Sequence, residues 1–264
     1  MNTRLFEIAE QRSKTASGAI MLAAKEQGSW RTYSSSEVWE TAVKLAGGLL
    51  ALGIANEVLE SDAQEKIAII SLNRPEWIFT DIAVQLTGAV LTPLYPTIST
   101  GEMAYVMNEA EVRIAFVANK EIFERFKEAF GNVPTLKYIY SFDTLEGIAN
   151  WKELLKKDNG GGLSVVPRIR PETLATIIYT SGTTGNPKGV MLSHSNIMSN
   201  VRDSMPAFTF AEEGGRALSF LPLNHIFERM VSYVYLQSGI SIYYAESMDT
   251  IGANLKEVNP MVFT

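Results

Sequence analysis

Short apolar runs alternate with longer amphipathic segments along most of the chain. The runs KIAIISL (66–72) and VRIAFV (112–117) are rich in β-branched residues, as is typical of buried strands. Helix-length segments with start and stop signals lie between such runs. Because strands and helices that alternate at these lengths form βαβ units, the pattern predicts an α/β fold of parallel sheets flanked by helices.

The same pattern predicts individual elements. Ser34 and Glu37 have the spacing of a capping box, and Asn119 is a predicted N-cap. The final MVFT is predicted to be the first half of a further strand. The predicted strands are 66–72, 89–94, 112–117, 137–142, 174–179, 217–221 and 240–244, and the predicted helices are 35–53, 75–88, 100–109, 120–130, 194–203, 224–237 and 249–258.

The alternation is interrupted by KKDNGGGLSVVPRIRP (156–171), which contains three consecutive glycines and two prolines. Such a stretch is typical of a loop or of a joint between two parts of a fold. We therefore predict a first α/β subunit over residues 1–160 and a second over residues 161–264.

A glycine-rich loop, YTSGTTGNPKGVMLSH (179–194), lies between a predicted buried strand and a predicted helix. Loops at this position bind phosphates in α/β folds, because their backbone N–H groups reach the anion without interference from a Cβ atom. Hydroxyl groups add hydrogen-bond donors and magnesium ligands, and Lys188 adds a positive charge for the terminal phosphates. The predicted triphosphate-binding residues are Thr180, Ser181, Gly182, Thr183, Thr184, Gly185 and Lys188, and Thr180 or Thr184 is a candidate magnesium ligand, with Thr180 preferred.

Two other interpretations of the loop were weighed against phosphate binding of this kind. A Walker loop, G-x-x-x-x-G-K-[ST], fits Gly182 and Lys188 but fails at Pro187 and Gly189, where it requires glycine and a hydroxyl residue. Proline also has no N–H group to donate to a phosphate. A flexible surface connection is disfavoured because every residue from 180 to 185 is small and the flanking segments are predicted to be regular.

The loop YTSGTTGNPKGVMLSHSN (179–196) closely resembles the signature loop of the adenylate-forming enzymes, which include acyl-CoA synthetases, luciferases and adenylation domains. RTYSSSEV (31–38) and QLTGAVLTPLYPTISTGEMA (85–104) are similar to two further blocks of that family. FLPLNHIFER (220–229) resembles the block whose histidine lies beside the acyl substrate, in the form typical of long-chain fatty acyl-CoA synthetases. The resemblance extends from about residue 30 to residue 264.

The resemblance implies an AMP-forming ligase that uses ATP, magnesium and coenzyme A to activate a fatty acid, and the form of residues 220–229 implies a long-chain one. It implies that His225 positions the acyl carboxylate and that Lys188 contacts the phosphates. From the spacing alone, His225, Arg229 and Tyr233 are expected to share one helix face. The other histidine, His194, is expected only to cap and pack locally.

The resemblance also identifies family features that have no counterpart in this sequence. They are the Y-G-x-T-E block, the ribose-binding aspartate and the mobile C-terminal domain with its lysine. The chain is therefore interpreted as the incomplete N-terminal portion of the large domain of such a ligase. It is expected to be inactive alone and to need the missing C-terminal part as its partner.

Composition narrows the classes of function that remain. A net charge of −6 and a pI near 5.2 argue against a nucleic-acid partner, and the absence of cysteine excludes disulfides, thiolate metal sites and a cysteine nucleophile. No signal peptide or membrane anchor is recognised, since the longest candidate run, AIMLAA (19–24), is far too short. We therefore expect a cytoplasmic protein, with no indication of its oligomeric state.

Two rival functions remain open on the sequence alone. One is a naturally truncated, non-catalytic nucleotide-binding or scaffold module. The other is a different phosphoryl-transfer enzyme that uses the loop in a Walker-like way, and the residues at 187 and 189 count against it.

Overall fold

The computed structural model describes residues 2–54, 59, 63–180, 185–208 and 214–264. The strands are β1 (Ile20–Glu26), β2 (Ser29–Ser34), β3 (Lys66–Ile70), β4 (Val90–Leu94), β5 (Val112–Val117), β6 (Tyr138–Ser141), β7 (Ala149–Asn150), β8 (Leu174–Thr180), β9 (Lys188–Ser193), β10 (Arg216–Ser219), β11 (Ser241–Tyr244) and β12 (Val262–Phe263). The helices are α1 (Phe6–Thr15), α2 (Ser35–Ala51), α3 (Pro75–Leu86), α4 (Thr100–Glu109), α5 (Lys120–Gly131), α6 (Lys152–Leu155), α7 (His194–Ser204), α8 (Ile226–Gln237) and α9 (Ile251–Val258). Within these ranges no helix is both long enough and apolar enough to cross a lipid bilayer.

The chain divides into two compact units that alternate along the sequence. The first, the five-stranded unit, contains Met1–Ala42, Asn73–Ile82 and His194–Thr264. The second, the seven-stranded unit, contains Val43–Leu72 and Ala83–Ser193. The predicted division into residues 1–160 and 161–264 stays a prediction, and the two compact units do not meet at residue 160.

The seven-stranded unit is built on a sheet with the strand order β7-β6-β5-β3-β4-β8-β9. Every neighbouring pair is parallel except β8 and β9, which are antiparallel. All residues of β3 and β4 are buried, as expected of central parallel strands with continuous apolar sequences. This rigid centre supports β8, the strand that leads into the glycine-rich loop.

The five-stranded unit is built on a sheet with the order β12-β10-β11-β1-β2. Only β1 and β2 are antiparallel. The sequence analysis predicted neither of these two strands, and it treated AIMLAA only as a run too short to span a membrane. The α/β class with mostly parallel sheets flanked by helices is confirmed, but the two antiparallel pairs make the sheets mixed rather than purely parallel.

Local signals in the sequence were reliable for several helix starts. The side chain of Asn119 accepts a hydrogen bond from the Ile122 amide at 3.0 Å, which confirms the predicted N-cap of α5. Ser34 Oγ accepts a hydrogen bond from the Glu37 amide at 3.2 Å, which is one of the two hydrogen bonds of the predicted capping box. The Glu37 carboxylate accepts a hydrogen bond from Arg31 at 3.0 Å. Predicted and observed bounds coincide for α4 and β5.

A buried ion pair joins α3 to α8 inside the five-stranded unit. Both side chains, Asp81 and Arg229, are fully buried, and the carboxylate accepts hydrogen bonds from Arg229 Nη2 and, at 3.1 Å, from Arg229 Nε. Tyr233 donates its hydroxyl proton to the same carboxylate at 2.6 Å, and the guanidinium lies 5.4 Å from the centroid of the Trp77 ring. Burial acts to lower the pKa of Arg229, but Asp81 and Tyr233 more than offset it and leave that pKa raised. The arginine is therefore charged, and its charge is paired.

Removing one partner of this pair should destabilise the fold strongly. We expect Asp81→Ala to lower the free energy of unfolding by about 3–5 kcal/mol, because it leaves a buried guanidinium without its counter-ion. Urea denaturation measures the loss. Asp203→Ala, at an exposed aspartate on α7, is the matched control and should change little.

A double variant separates the charge effect from lost packing. Asp81→Leu combined with Arg229→Met removes both charges and should recover most of the stability lost in Asp81→Ala. If Asp81→Ala were as stable as the wild type, the pairing described here would be contradicted.

Candidate active site

The glycine-rich loop closes a β-hairpin. β8 and β9 pair from Leu174 opposite Ser193 to Thr180 opposite Lys188, so residues 181–187 connect two antiparallel strands. The predicted helix after the loop is confirmed, because α7 begins at His194, but the second half of the predicted loop forms the strand β9. A strand forms here because the edge of β8 that faces away from β4 would otherwise leave its backbone N–H and C=O groups unpaired.

The structure brings two predicted phosphate-binding residues together at the mouth of this hairpin. Thr180 and Lys188 are opposite each other in register and both are exposed. Directly opposed residues have Cβ atoms about 5 Å apart, so the hydroxyl and the ammonium group can reach one ligand. Gly185 is also exposed and has φ +95°, a conformation that side chains disfavour. The predicted residues Ser181, Gly182, Thr183 and Thr184 lie outside the described residues.

Gly189 has a packing role that the sequence comparison with a Walker loop did not anticipate. A Cβ atom at this position would lie 2.7 Å from Ile177 Cγ2 and 3.1 Å from Tyr179 Cζ. Both neighbours are on β8, and Tyr179 is directly opposite Gly189 in the hairpin. Glycine is thus required for the Tyr179 ring to lie across the partner strand, one residue from Lys188.

Magnesium binding at Thr180 is only partly supported by the residues that surround it. The Thr180 hydroxyl offers one neutral oxygen ligand, and magnesium in proteins is commonly held by one or two carboxylates together with substrate phosphates. Across the described ranges, no group of three or more His, Asp or Glu side chains is arranged to hold a metal. Most ligands of a magnesium ion here would have to come from the phosphates themselves.

His225 lies at the N-cap of α8 in the five-stranded unit. Its Nδ1 atom accepts a hydrogen bond from the Phe227 amide at 3.2 Å, and the side chain is exposed. An acceptor at Nδ1 carries no proton, so this contact places the proton of the neutral ring on Nε2. The prediction that His225 shares a helix face with Arg229 and Tyr233 is wrong. Those two residues are buried against Asp81, whereas His225 caps the exposed end of the helix.

His194 packs against the N-terminal segment of the chain rather than capping and packing locally, as the sequence analysis expected. It is buried, its Nδ1 accepts from the Leu5 amide at 3.3 Å, and its ring meets Phe6 edge-on with centroids 5.7 Å apart. Burial, assisted by the positive charges of Arg229 and Arg4, lowers the pKa of His194 from 6.5 to about 3. The ring is therefore neutral across the physiological pH range.

One residue that the sequence analysis did not name contacts the segment before His225. Asn73, between β3 and α3, hydrogen-bonds to Ser219, Leu221 and Leu223. The available signal was its place just after a buried parallel strand, where site residues lie in α/β folds. Its partners are about 150 positions away in sequence, which no local pattern reveals.

The buried neutral state of His194 predicts a pH-dependent stability. The unfolded chain takes up a proton near pH 6.5, but the folded protein does not until about pH 3, so stability present above pH 6.5 is lost as the pH falls between these values. Between pH 7.5 and 5.5 we expect the free energy of unfolding to drop by about 1.4 kcal/mol from this residue.

The measurement is urea denaturation at several pH values, with substitutions at the only two histidines of the chain. His194→Asn retains an acceptor for the Leu5 amide and should remove the slope, whereas His225→Asn, at the exposed position, should keep it. An unchanged slope in His194→Asn would show that another group is responsible.

Comparison with known proteins identifies the family that the chain resembles in sequence. Residues 8–264 match the family described as AMP-binding enzyme. The chain is 31% identical over 251 residues to long chain acyl-CoA synthetase 4 of Arabidopsis thaliana, with 89% of this chain and 36% of that protein covered. It is 33% identical over 223 residues to long-chain-fatty-acid–CoA ligase 1 of Homo sapiens, with 75% and 31% covered. The chain thus spans about a third of the length of the curated relatives it matches.

Solved structures share the fold at lower identity. A fatty acyl CoA synthetase of Mycobacterium tuberculosis matches with a TM-score of 0.82 and 17% identity, covering 99% of this chain and 49% of that one. The N-terminal domain of FACL13 from the same organism matches with a TM-score of 0.80 and 17% identity, covering 98% and 62%. At these identities the likeness shows the fold alone.

Proposed function

The chain belongs to the AMP-binding enzyme family, and on that premise we propose that it is the N-terminal portion of a ligase that joins a long-chain fatty acid to coenzyme A. The observation that carries the proposal is the pairing of Thr180 with Lys188 at the mouth of the glycine-rich hairpin. The fatty-acid substrate is supported by the relatives, which are named long-chain acyl-CoA synthetases and ligases.

The first step forms an acyl-adenylate. A carboxylate oxygen of the fatty acid attacks the α-phosphorus of ATP in line, and the bond to the bridging oxygen breaks and releases pyrophosphate. Lys188, the backbone N–H groups of residues 181–185 and the hydroxyls of Thr183 and Thr184 neutralise the charge that grows on the leaving pyrophosphate. The ATP phosphates and the Thr180 hydroxyl would hold a magnesium ion, which would supply further charge neutralisation.

His225 orients the acyl carboxylate in this proposal. Because Nδ1 accepts from the Phe227 amide, the Nε2–H group is the donor available to a carboxylate oxygen. This hydrogen bond fixes the orientation of the attacking carboxylate. The attacking carboxylate needs no general base, so His225 transfers no proton.

In the second step the thiol of coenzyme A attacks the acyl carbon, and AMP leaves. That step, and the binding of adenine and ribose, require parts of the ligase that this chain does not supply, as the family resemblance implies. We therefore propose that the 264-residue chain alone turns over little or no substrate. A cytoplasmic location stays a prediction.

A second candidate is a nucleotide-binding or scaffold module without turnover. It rests on the register of the hairpin, in which Thr180 and Lys188 lie opposite each other. It shares the phosphate-binding hairpin with the ligase and differs from it in lacking fatty-acid-dependent chemistry when the full polypeptide is assayed.

Substitution of Lys188 tests the phosphate contact common to both candidates. We expect Lys188→Met to weaken Mg-ATP binding about tenfold to a hundredfold, as for one lost charge-assisted hydrogen bond, and to weaken AMP binding much less. Isothermal titration calorimetry of the full-length polypeptide measures both affinities. Lys127→Met, at an exposed lysine on α5 in the same unit, is the control and should bind as the wild type. Equal ATP affinity in Lys188→Met and the wild type would contradict the phosphate-binding assignment.

A further inference from the structure

Asn73 contacts the turn between β10 and α8 at three points. Its Nδ2 donates to the Leu221 carbonyl at 2.7 Å and to Ser219 Oγ at 3.1 Å, while its Oδ1 accepts from the Leu223 amide at 2.9 Å. The bonds to Leu221 and Leu223 lie on the two sides of Pro222. One side chain thus satisfies a carbonyl and an amide that the turn itself leaves without a partner in regular structure.

The donor and acceptor of each of these hydrogen bonds can be assigned. The acceptor role of Oδ1 toward Leu223 fixes the Asn73 amide, so its NH₂ group faces Ser219. The Ser219 hydroxyl then donates its own proton to Glu228 Oε1 at 2.5 Å. Glu228 is buried on α8, and burial raises the pKa of its carboxyl group. The chain of hydrogen bonds therefore links Asn73 through β10 to the first turn of α8.

The same turn determines the backbone position of His225. The His225 amide donates to the Pro222 carbonyl at 2.9 Å, and the His225 carbonyl accepts from the Arg229 amide at 3.2 Å. The His225 ring then caps α8 through the Phe227 amide. The direction of Nε2–H is thus set by the backbone between residues 221 and 225, which Asn73 holds at both ends of Pro222.

We propose that Asn73 is a positioning residue that fixes the turn before α8 and thereby orients the Nε2–H group of His225 toward the acyl carboxylate. The role of His225 in this statement rests on the proposed ligase function. The orientation of the ring does not, and it can be measured without any substrate.

The first experiment observes the ring of His225 by NMR of the ¹⁵N-histidine-labelled chain. The chain has two histidines, and His225→Asn assigns their signals. In the wild type we expect an unprotonated Nδ1 and a protonated Nε2 for neutral His225, with slow exchange of the Phe227 amide. In Asn73→Ala we expect a mixture of the two tautomers and amide exchange at Leu223 and Phe227 that is at least about tenfold faster.

Two further variants serve as controls for this experiment. Asn254→Ala removes another asparagine of the same unit that bonds to backbone, at the Glu246 amide, and should leave the His225 signals unchanged. Asn73→Asp keeps the acceptor for the Leu223 amide but loses both donor bonds, so it should cause the same changes in the His225 signals, but smaller ones. This variant tests the proposal even if Asn73→Ala does not fold. If the His225 signals are unchanged in both Asn73 variants, the proposal is overturned.

The second experiment is a double-mutant cycle in the full-length ligase, read out as fatty-acid-dependent ATP–pyrophosphate exchange. We expect Asn73→Ala to slow exchange by about tenfold to a hundredfold, and to have almost no effect when His225 is already alanine. Additive effects would overturn the positioning role, because a general loss of stability does not depend on His225. If His225→Ala alone had no effect, the proposed function of His225 would fail while the NMR result would still decide the positioning.

Discussion

Burying an unpaired charge is costly, so Asp81 and Arg229 are buried together as an ion pair. Their contact fixes the position of α3 along α8. The residues that matter for the candidate chemistry of the five-stranded unit lie at the starts of these two helices. Asn73 precedes α3, and His225 caps α8. A shift of one helix along the other would break the ion pair, and it would also separate Asn73 from the turn. Such a pair contributes specificity more than net stability, since an apolar pair of similar volume would pack about as well.

The hairpin in the seven-stranded unit holds Thr180 and Lys188 by strand pairing. A phosphate loop often uses the N-terminus of a helix, whereas here two antiparallel strands present Thr180 and Lys188 side by side. The strand β8 is anchored to β4 through Thr176, whose hydroxyl donates to the Leu91 carbonyl at 2.6 Å. Gly189 leaves room for the Tyr179 ring beside the lysine. The positive charge of Lys188 is therefore carried on regular, paired backbone, which under the proposed function lowers the free-energy cost of ordering it around an anion.

The sequence predicted those parts of the fold that depend on local chemistry. The bounds of α4 and β5 and the Asn119 cap follow from residues within a few positions of one another. It did not predict β9, because pairing with β8 depends on an unpaired sheet edge rather than on the sequence GVMLS alone. It missed β2 because only one of the six residues of that strand is buried and the strand shows no apolar alternation. Contacts such as Asp81 with Arg229 join residues 148 positions apart, and the local hint was an acidic residue in the middle of a mostly apolar helix.

The central claim is that this chain carries the phosphate-binding and acyl-positioning parts of a fatty acyl-CoA ligase. The most direct test is ATP–pyrophosphate exchange with and without a long-chain fatty acid, measured on the 264-residue chain and on the full-length polypeptide that contains it. The account predicts fatty-acid-dependent exchange by the full-length protein and almost none by the chain alone. Robust exchange by the chain alone, or ATP turnover by the full-length protein that ignores the fatty acid, would contradict it.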